Sequence, residues 1–347
     1  MRLLVLGGTE FAGRAVVEAA LARGWDVTVL HRGRHPAPPG VRSLHGDRTA
    51  PDGLAALAGE PGWDAVVDTW SAAPRVVLDA ARLLRGRAGR YVYVSSCSVY
   101  AWAPPAGYTE DAPLVEGAAA DAGRTDYARD KRGGELAAIE AFGARDSLLV
   151  RAGLLLGPYE NVGRLPWWLN RIARGGPVLA PGPRDLPLQY IDVRDLAEWI
   201  LDGVRQELAG PRTVIGPRGL TTTGELLETC VRVTGAAAEL RWTDPEAVLA
   251  AGIEPWTGLP VWVPPGSEAY DALHGADVSA ALATGLRCRP VARTVADTWD
   301  WLRGLGGVAP QRPDRPPVGL DPEVEAKVLA AGGGVPGDNP LTGGRAQ

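Results

Sequence analysis

Cysteine is scarce in this chain: Cys97, Cys230 and Cys288 are the three in 347 residues, and no two stand at zinc or Cys-x-x-Cys spacing. That argues against a zinc module or a disulfide scaffold, and an odd, sparse set suits a reducing cytoplasm. Histidine is nearly as rare. His31, His35, His45 and His274 form no metal-ligand or triad pattern, so no metal site is expected. No apolar run is long enough to span a bilayer. The opening Met1–Leu6 runs straight into Gly7-Gly8-Thr9 without a cleavage site and reads as a buried strand rather than a signal peptide. An excess of positive charge is also missing. A net charge of −5 offers no general attraction for nucleic acid or an anionic membrane. There is no internal repeat.

What is present is the composition of a globular protein, 46% hydrophobic and 22% charged, long enough for one large core or two linked ones. Leu3–Leu6 is a short apolar run bounded by glycine, as in a strand buried on both faces. Helical spacing follows over about 13–23, then a second strand at Val27–Leu30, completing a βαβ unit. Further apolar runs at Val41–Leu44, Ala65–Val67, Tyr91–Val94 and Ser147–Val150 alternate with helical stretches, the longest being Tyr127–Phe142. The alternation predicts an α/β fold with a Rossmann-type doubly wound parallel sheet. After Gly157 the texture changes to Pro, Trp and Gly. The expected organisation is a dinucleotide-binding domain over 1–156, rejoined by 187–216, and a smaller C-terminal substrate-binding region made of 157–186 and 217–304. A Pro/Gly-rich tail follows over 305–347, with a short helical pattern from Pro322 and disorder expected from Gly332.

The first strand-to-helix turn reads Gly7-Gly8-Thr9-Glu10-Phe11-Ala12-Gly13. Glycines there let backbone N–H groups approach a pyrophosphate at a helix N-terminus. Gly7, Thr9, Phe11, Ala12 and Gly13 are therefore candidate cofactor residues. Glu10 replaces the usual middle glycine and is expected to point outward. The second strand ends in Leu30-His31-Arg32-Gly33-Arg34. An NAD site usually carries a carboxylate there for the ribose 2′-OH, whereas Arg32 and Arg34 suit a 2′-phosphate, so NADP(H) is favoured over NAD(H).

Tyr127 and Lys131, at i and i+4, share one helix face. A lysine cation beside a phenol favours the phenolate and suits it to proton transfer near neutral pH. The strand Tyr91–Val94 leads into Ser95-Ser96-Cys97-Ser98-Val99-Tyr100, and strand ends of such sheets carry ligand-facing residues. Together with Gly46-Asp47 after the third strand, Arg151 and Gly157-Pro158, these motifs make residues 1–303 resemble the extended short-chain dehydrogenase/reductases, the NAD-dependent epimerase/dehydratase family. The resemblance implies an NAD(P)-dependent oxidoreductase in which Ser96 polarises the substrate oxygen and Tyr127 is the general acid/base. Lys131 would hold the nicotinamide ribose and tune Tyr127, and Asp47 would contact the adenine. Ser95 and Ser98 are rivals for the role of Ser96, and Cys97 reads as a packed thiol.

Departures from the family pattern speak to substrate. Cys97-Ser98 stands where sugar dehydratases carry an Asp-Glu pair. Leu154 and Leu188 stand where nucleotide-sugar epimerases place an asparagine and a diphosphate-binding arginine. A nucleotide sugar is therefore not expected, although Arg184 lies close by in sequence. Trp167, Trp168, Trp242, Trp256 and Trp262 in a Pro/Gly-rich region favour a partly apolar, planar small molecule. Ser98, Tyr159, Asn161, Trp167, Arg184 and Gln189 are candidate substrate contacts. The leading expectation is a reductase or dehydrogenase of a small carbonyl or alcohol, the second an epimerase. A third, from another class, is an RNA-binding or scaffold protein, because Gly-Gly-Thr-x-Phe-x-Gly also resembles plastid RNA-binding members of the superfamily. The complete Ser96/Tyr127/Lys131 set and the acidic balance weigh against it. A homodimer through about 76–84 and 127–142 is the family's habit.

Overall fold

The computed structural model describes residues 1–331. The end of the chain from Gly332, expected to be disordered, lies outside the described residues. The chain divides into two compact units. The first comprises residues 1–161, 189–220 and 268–290, and the second residues 162–188, 221–267 and the described chain from 291.

The first unit is built on a seven-stranded parallel sheet. Its elements begin β1 (Arg2–Leu6), α1 (Phe11–Ala22), β2 (Asp26–His31), β3 (Arg42–His45), β4 (Trp63–Asp68), α2 (Pro74–Leu84), β5 (Ala88–Ser96), α3 (Tyr127–Phe142) and β6 (Ser147–Ala152). The strand Gly210–Val214 closes one edge, and the spatial order from there is β6, β5, β4, β1, β2, β3. Alternation along each strand explains why both faces are covered. Leu3 and Val5 of β1 face a core shared with α1 and the helix Val193–Arg205, whereas Leu4 and Leu6 face a second core shared with α2 and α3. The sheet reverses direction of winding between β1 and β4, which opens a crevice at their C-terminal ends.

Helix α3 reaches the sheet closely because Gly133 and Gly134 lack side chains. A Cβ at Gly134 would overlap the Tyr93 hydroxyl on β5, and one at Gly133 would overlap Pro74 on α2. Two mid-helix glycines each cost about 1 kcal/mol against alanine. The close approach they permit is what brings the first turns of α3 to the end of β5.

The stretch Leu188–Val193, sheet-like in sequence, does not form one continuous strand. Pro187–Leu188 pairs antiparallel with Thr221–Thr222 in the second unit, and Ile191–Asp192 pairs parallel with Leu155–Leu156 in the first. Two whole segments also fall in other units than the sequence reading placed them. Residues 268–290 belong to the first unit, where Ala276 and His274 bond to Gln189. Residues 305–331 are part of the second unit: Glu325 of the helix Pro322–Ala330 pairs with Arg171 at 2.6 Å and accepts the Leu179 N–H at 3.1 Å.

Candidate active site

The crevice between β1 and β4 is framed by the glycine turn. Gly7 has φ +98° and sits against Thr69, which follows β4 and whose hydroxyl donates to the Leu6 carbonyl at 3.0 Å. A Cβ at Gly13 would overlap the Gly7 carbonyl oxygen, so this glycine lets α1 start directly on the turn. The side chain of the N-cap residue, Glu10, makes no capping bond. Thr9, Phe11, Ala12 and Gly13 thus border an α1 N-terminus whose dipole and first N–H groups suit a pyrophosphate. Glu10, far from pointing simply into solvent, accepts the Asn161 amide at 3.3 Å and lies 3.6 Å from His35 Nε2. Tyr159 stands beneath the Arg14 guanidinium, 4.1 Å from its ring centroid. Two residues expected to touch substrate, Tyr159 and Asn161, therefore lie beside the glycine turn.

At the end of β2, Arg32 and Arg34 are exposed, and no carboxylate accompanies them within the strand end. His31 is buried. Its Nδ1 accepts the Gly33 N–H at 3.2 Å and its Nε2 meets Ser43 Oγ at 2.6 Å, which fixes the backbone that carries the two arginines. Burial, and then the neighbouring His45, lowers the His31 pKa and favours the neutral ring. Asp47 accepts the hydroxyl and the N–H of Thr49, at 2.7 and 3.0 Å. These bonds, joined by the nearby charges of Arg32 and Arg34, hold its carboxyl below the ordinary carboxylate range. Arg32, Arg34 and Asp47 thus share one corner of the crevice.

The third group sits at the end of β5. Ser96 Oγ accepts the Ser98 N–H and donates to Ser98 Oγ, both at 3.1 Å, capping the single helical turn Cys97–Val99. Ser95 is excluded as the reactive hydroxyl: it is buried and donates to Glu135 at 2.8 Å. Cys97 donates to the Arg151 carbonyl, and burial pushes its thiol up to about 12, as expected of a packed thiol. Helix α3 packs on β5 and on this turn. Asp126 caps α3 by accepting the Arg129 N–H at 3.0 Å, which places Tyr127 in its first turn. One turn on, Lys131 is 3% exposed, and its ammonium bonds the carbonyls of Trp70 at 2.7 Å and Val94 at 2.6 Å. The lysine is fastened to the ends of β4 and β5, two residues before Ser96. Such a group can polarise a carbonyl with a hydroxyl, deliver a proton from a phenol and hold a cation beside it.

Several expected substrate contacts lie elsewhere. Gln189 is fully buried and its amide is spent: Nε2 donates to Gly216 and Ala276, and Oε1 accepts the Ala276 N–H at 2.8 Å. It fastens segments of the first unit together and is not a ligand contact. In the second unit, Arg184 is exposed and paired with Glu228 at 2.5 Å. Trp167 packs over Gly319. Trp168 and Trp262 are core residues whose indole N–H groups are taken by the carbonyls of Pro260 and Gly182. Leu188 joins them around a cavity of about 10 Å³, room for about one water. The tryptophan-rich stretch is thus largely a small domain's core.

Sequence reasoning missed a buried pair beside the lysine. Arg48 and Asp68 are joined by two hydrogen bonds of 2.7 Å. The available signals were a carboxylate ending an apolar strand and an arginine directly after Gly46-Asp47.

Comparison with known proteins bears on the family and the fold. A family model described as the NAD dependent epimerase/dehydratase family matches residues 3–216. The 2'-dehydrokanamycin reductase of Streptomyces kanamyceticus is 35% identical over 189 residues, 52% of this chain and 51% of that protein. The chain therefore spans about half the length of this curated relative in the match. Among solved structures, the Bordetella bronchiseptica enzyme WbmH in complex with NAD+ is similar with a TM-score of 0.64 at 17% identity, over 88% of this chain and 99% of that one. The UDP-glucose 4-epimerase of Thermus thermophilus in complex with NAD gives 0.58 at 23% identity, over 88% and 99%. The human epimerase family protein SDR39U1 (isoform2) with NADPH gives 0.57 at 22%, over 86% and 99%. At these identities the structures speak for the fold alone. With the family model spanning more than half of its length, the chain belongs to the NAD dependent epimerase/dehydratase family.

Proposed function

We propose that the protein is an NADP(H)-preferring oxidoreductase that reduces the carbonyl of a small molecule, or oxidises the corresponding alcohol, through Ser96, Tyr127 and Lys131. The observation that carries this reading is the fastening of Lys131 to the carbonyls of Trp70 and Val94, one helical turn from Tyr127 and beside the strand end that bears Ser96. An ammonium bonded to fixed carbonyls needs no reorganisation when charge develops on the neighbouring phenol.

The nicotinamide, when bound, supplies or accepts the hydride. Ser96 Oγ turns its proton from Ser98 Oγ to the substrate carbonyl oxygen, while the Ser98 N–H, which donates to Ser96 Oγ, holds that hydroxyl in place. Tyr127 gives its phenolic proton to the same oxygen, so the carbonyl becomes an alcohol. The Lys131 cation favours the phenolate that remains until solvent returns the proton. Gly7, Thr9, Phe11, Ala12 and Gly13 would hold the pyrophosphate, Asp47 the adenine side, and Arg32 with Arg34 the 2′-phosphate.

Reduction is preferred to epimerisation because the relative at 35% identity is named as a reductase of a dehydro compound, that is, of an oxidised alcohol. A nucleotide sugar is the wrong ligand class. Leu154 and Leu188 are buried hydrocarbon, and Arg184 lies at the surface, paired with Glu228. A diphosphate needs charge-assisted bonds to offset its desolvation. The reading is tested by following nicotinamide absorbance while NADPH is mixed with a panel of small ketones, keto-glycosides included. Absence of consumption across the panel, with epimerised products appearing instead, would replace it by the epimerase.

Cofactor choice gives a separate expectation. NADPH binds more tightly than NADH by calorimetry, and Arg32→Ala removes most of the difference, because no carboxylate stands at the end of β2 to accept a free 2′-OH. Tighter binding of NADH to the wild type contradicts it.

A further inference from the structure

Asp68 closes β4 at the crevice and is completely buried, and the Arg48 side chain is 6% exposed. Beyond their two mutual bonds, Asp68 Oδ2 accepts the Tyr91 hydroxyl at 2.5 Å and Oδ1 accepts the Trp70 N–H at 2.9 Å. Arg48 donates to the Val76 carbonyl at 3.1 Å and lies 5.5 Å from the Trp70 ring centroid. The Trp70 carbonyl, in turn, accepts Lys131 Nζ at 2.7 Å and the Tyr93 hydroxyl at 3.1 Å. One residue thus has its N–H held by Asp68 and its C=O holding the lysine.

A buried ion pair contributes little to stability, because desolvation of both charges cancels most of their attraction, and a hydrocarbon pair of similar size fills the same space. What hydrocarbon cannot do is accept the Trp70 N–H and so orient the backbone that holds Lys131. We propose, resting on the roles given above to Tyr127 and Lys131, that Arg48 and Asp68 are positioning residues: they clamp the Trp70 backbone to which Lys131 is bound and, as a neutral pair, leave Lys131 to set the field at Tyr127.

The charges packed around this centre are few. The turn after β3 supplies Arg48 and β4 supplies Asp68. β5 supplies Tyr91 and Tyr93, both pushed well up by burial and then by Asp68. Tyr93 is close enough to Tyr127 for the two to interact. From α3 come Asp130, bonded by Thr125, and Glu135, matched by Arg132 and Arg151. α2 supplies Arg75, Asp79 and Arg82, paired at the surface among themselves and with Glu140. Burial alone would raise the Asp68 carboxyl, yet Arg48 holds it below the ordinary carboxylate range. The balance of the Arg48–Asp68 pair can therefore be altered without touching α3.

Two readouts test this. One is the pH dependence of kcat/KM. The other is the tyrosinate ultraviolet absorption of the cofactor-free protein, wild type minus Tyr127→Phe, to which Tyr91 and Tyr93 contribute nothing near neutrality. Arg48→Met leaves an anion unpaired and moves both readouts to higher pH. Asp68→Asn keeps an acceptor for the Trp70 N–H but leaves a cation unpaired, and moves both readouts to lower pH. Arg48→Lys returns both readouts close to wild type. Shifts in one common direction, or lower melting temperatures with an unmoved titration, would overturn the proposal. If Arg48→Met does not fold, the sign of the Asp68→Asn shift decides alone. Retained turnover in Tyr127→Phe would instead remove the catalytic assignment, while the absorbance titration still reports whether the pair sets the lysine's field.

Discussion

Turnover of the Tyr127→Phe variant is expected to fall by about two to four orders of magnitude, the usual cost of losing a general acid/base, while its affinity for NADPH stays within about twofold. The expectation follows from where the side chain sits. Tyr127 occupies the first turn of α3, capped by Asp126, and is half-buried. Helix α3 is anchored by groups other than this side chain: Gly133 and Gly134 let it pack against α2 and β5, and Glu135 is bonded to Ser95 and Arg151. Phenylalanine therefore removes the proton donor while these anchors of α3 stay in place. Steady-state rates and calorimetry on one preparation separate the outcomes. A variant with near-normal turnover shows that another group moves the proton.

A second large effect is expected at the glycine turn. Gly13→Ala weakens NADPH binding by about a hundredfold or more, because the added Cβ overlaps the Gly7 carbonyl oxygen and can be accommodated only by moving the turn itself. The nearest neighbours are backbone atoms, so no side chain can swing aside. Overpacking of this kind also costs about 1–3 kcal/mol of stability, which alanine's better helix propensity only partly offsets. Circular dichroism establishes that the variant is folded, and calorimetry then reads the affinity. An unchanged Kd in a folded variant means that the pyrophosphate does not rest on this turn.

Much of the first unit was legible because its information is local. The apolar run Leu3–Leu6 ended in glycine, and the 127–142 spacing gave α3 with its observed bounds. Tyr127 and Lys131 followed from i,i+4 geometry. The seventh strand, Gly210–Val214, was not read as a strand. Its sequence, Gly-Pro-Arg-Thr-Val, has no apolar run, and it is a strand because β6 offers it a free edge. The pairing of Arg48 with Asp68 was missed for a related reason, since the sheet brings together residues 20 positions apart. Gln189 looked like a polar group near a pocket, but its partner Ala276 lies 87 residues on. The tryptophans misled because a small unit also needs large side chains to fill its interior, and Trp168 and Trp262 do that.

Net transfer of a hydride to substrate, rather than its temporary removal and return, is the central claim, and the stoichiometry of the cofactor measures it most directly. The protein is incubated with NADPH deuterated at the transferring carbon and a ketone that it consumes, and NADP+ and alcohol are quantified together. The account predicts one NADP+ released and one deuterium in the alcohol for each turnover in the wild type, and accumulation of both slowed by about two to four orders of magnitude with Tyr127→Phe. An epimerised product that appears with no net NADP+ would contradict it.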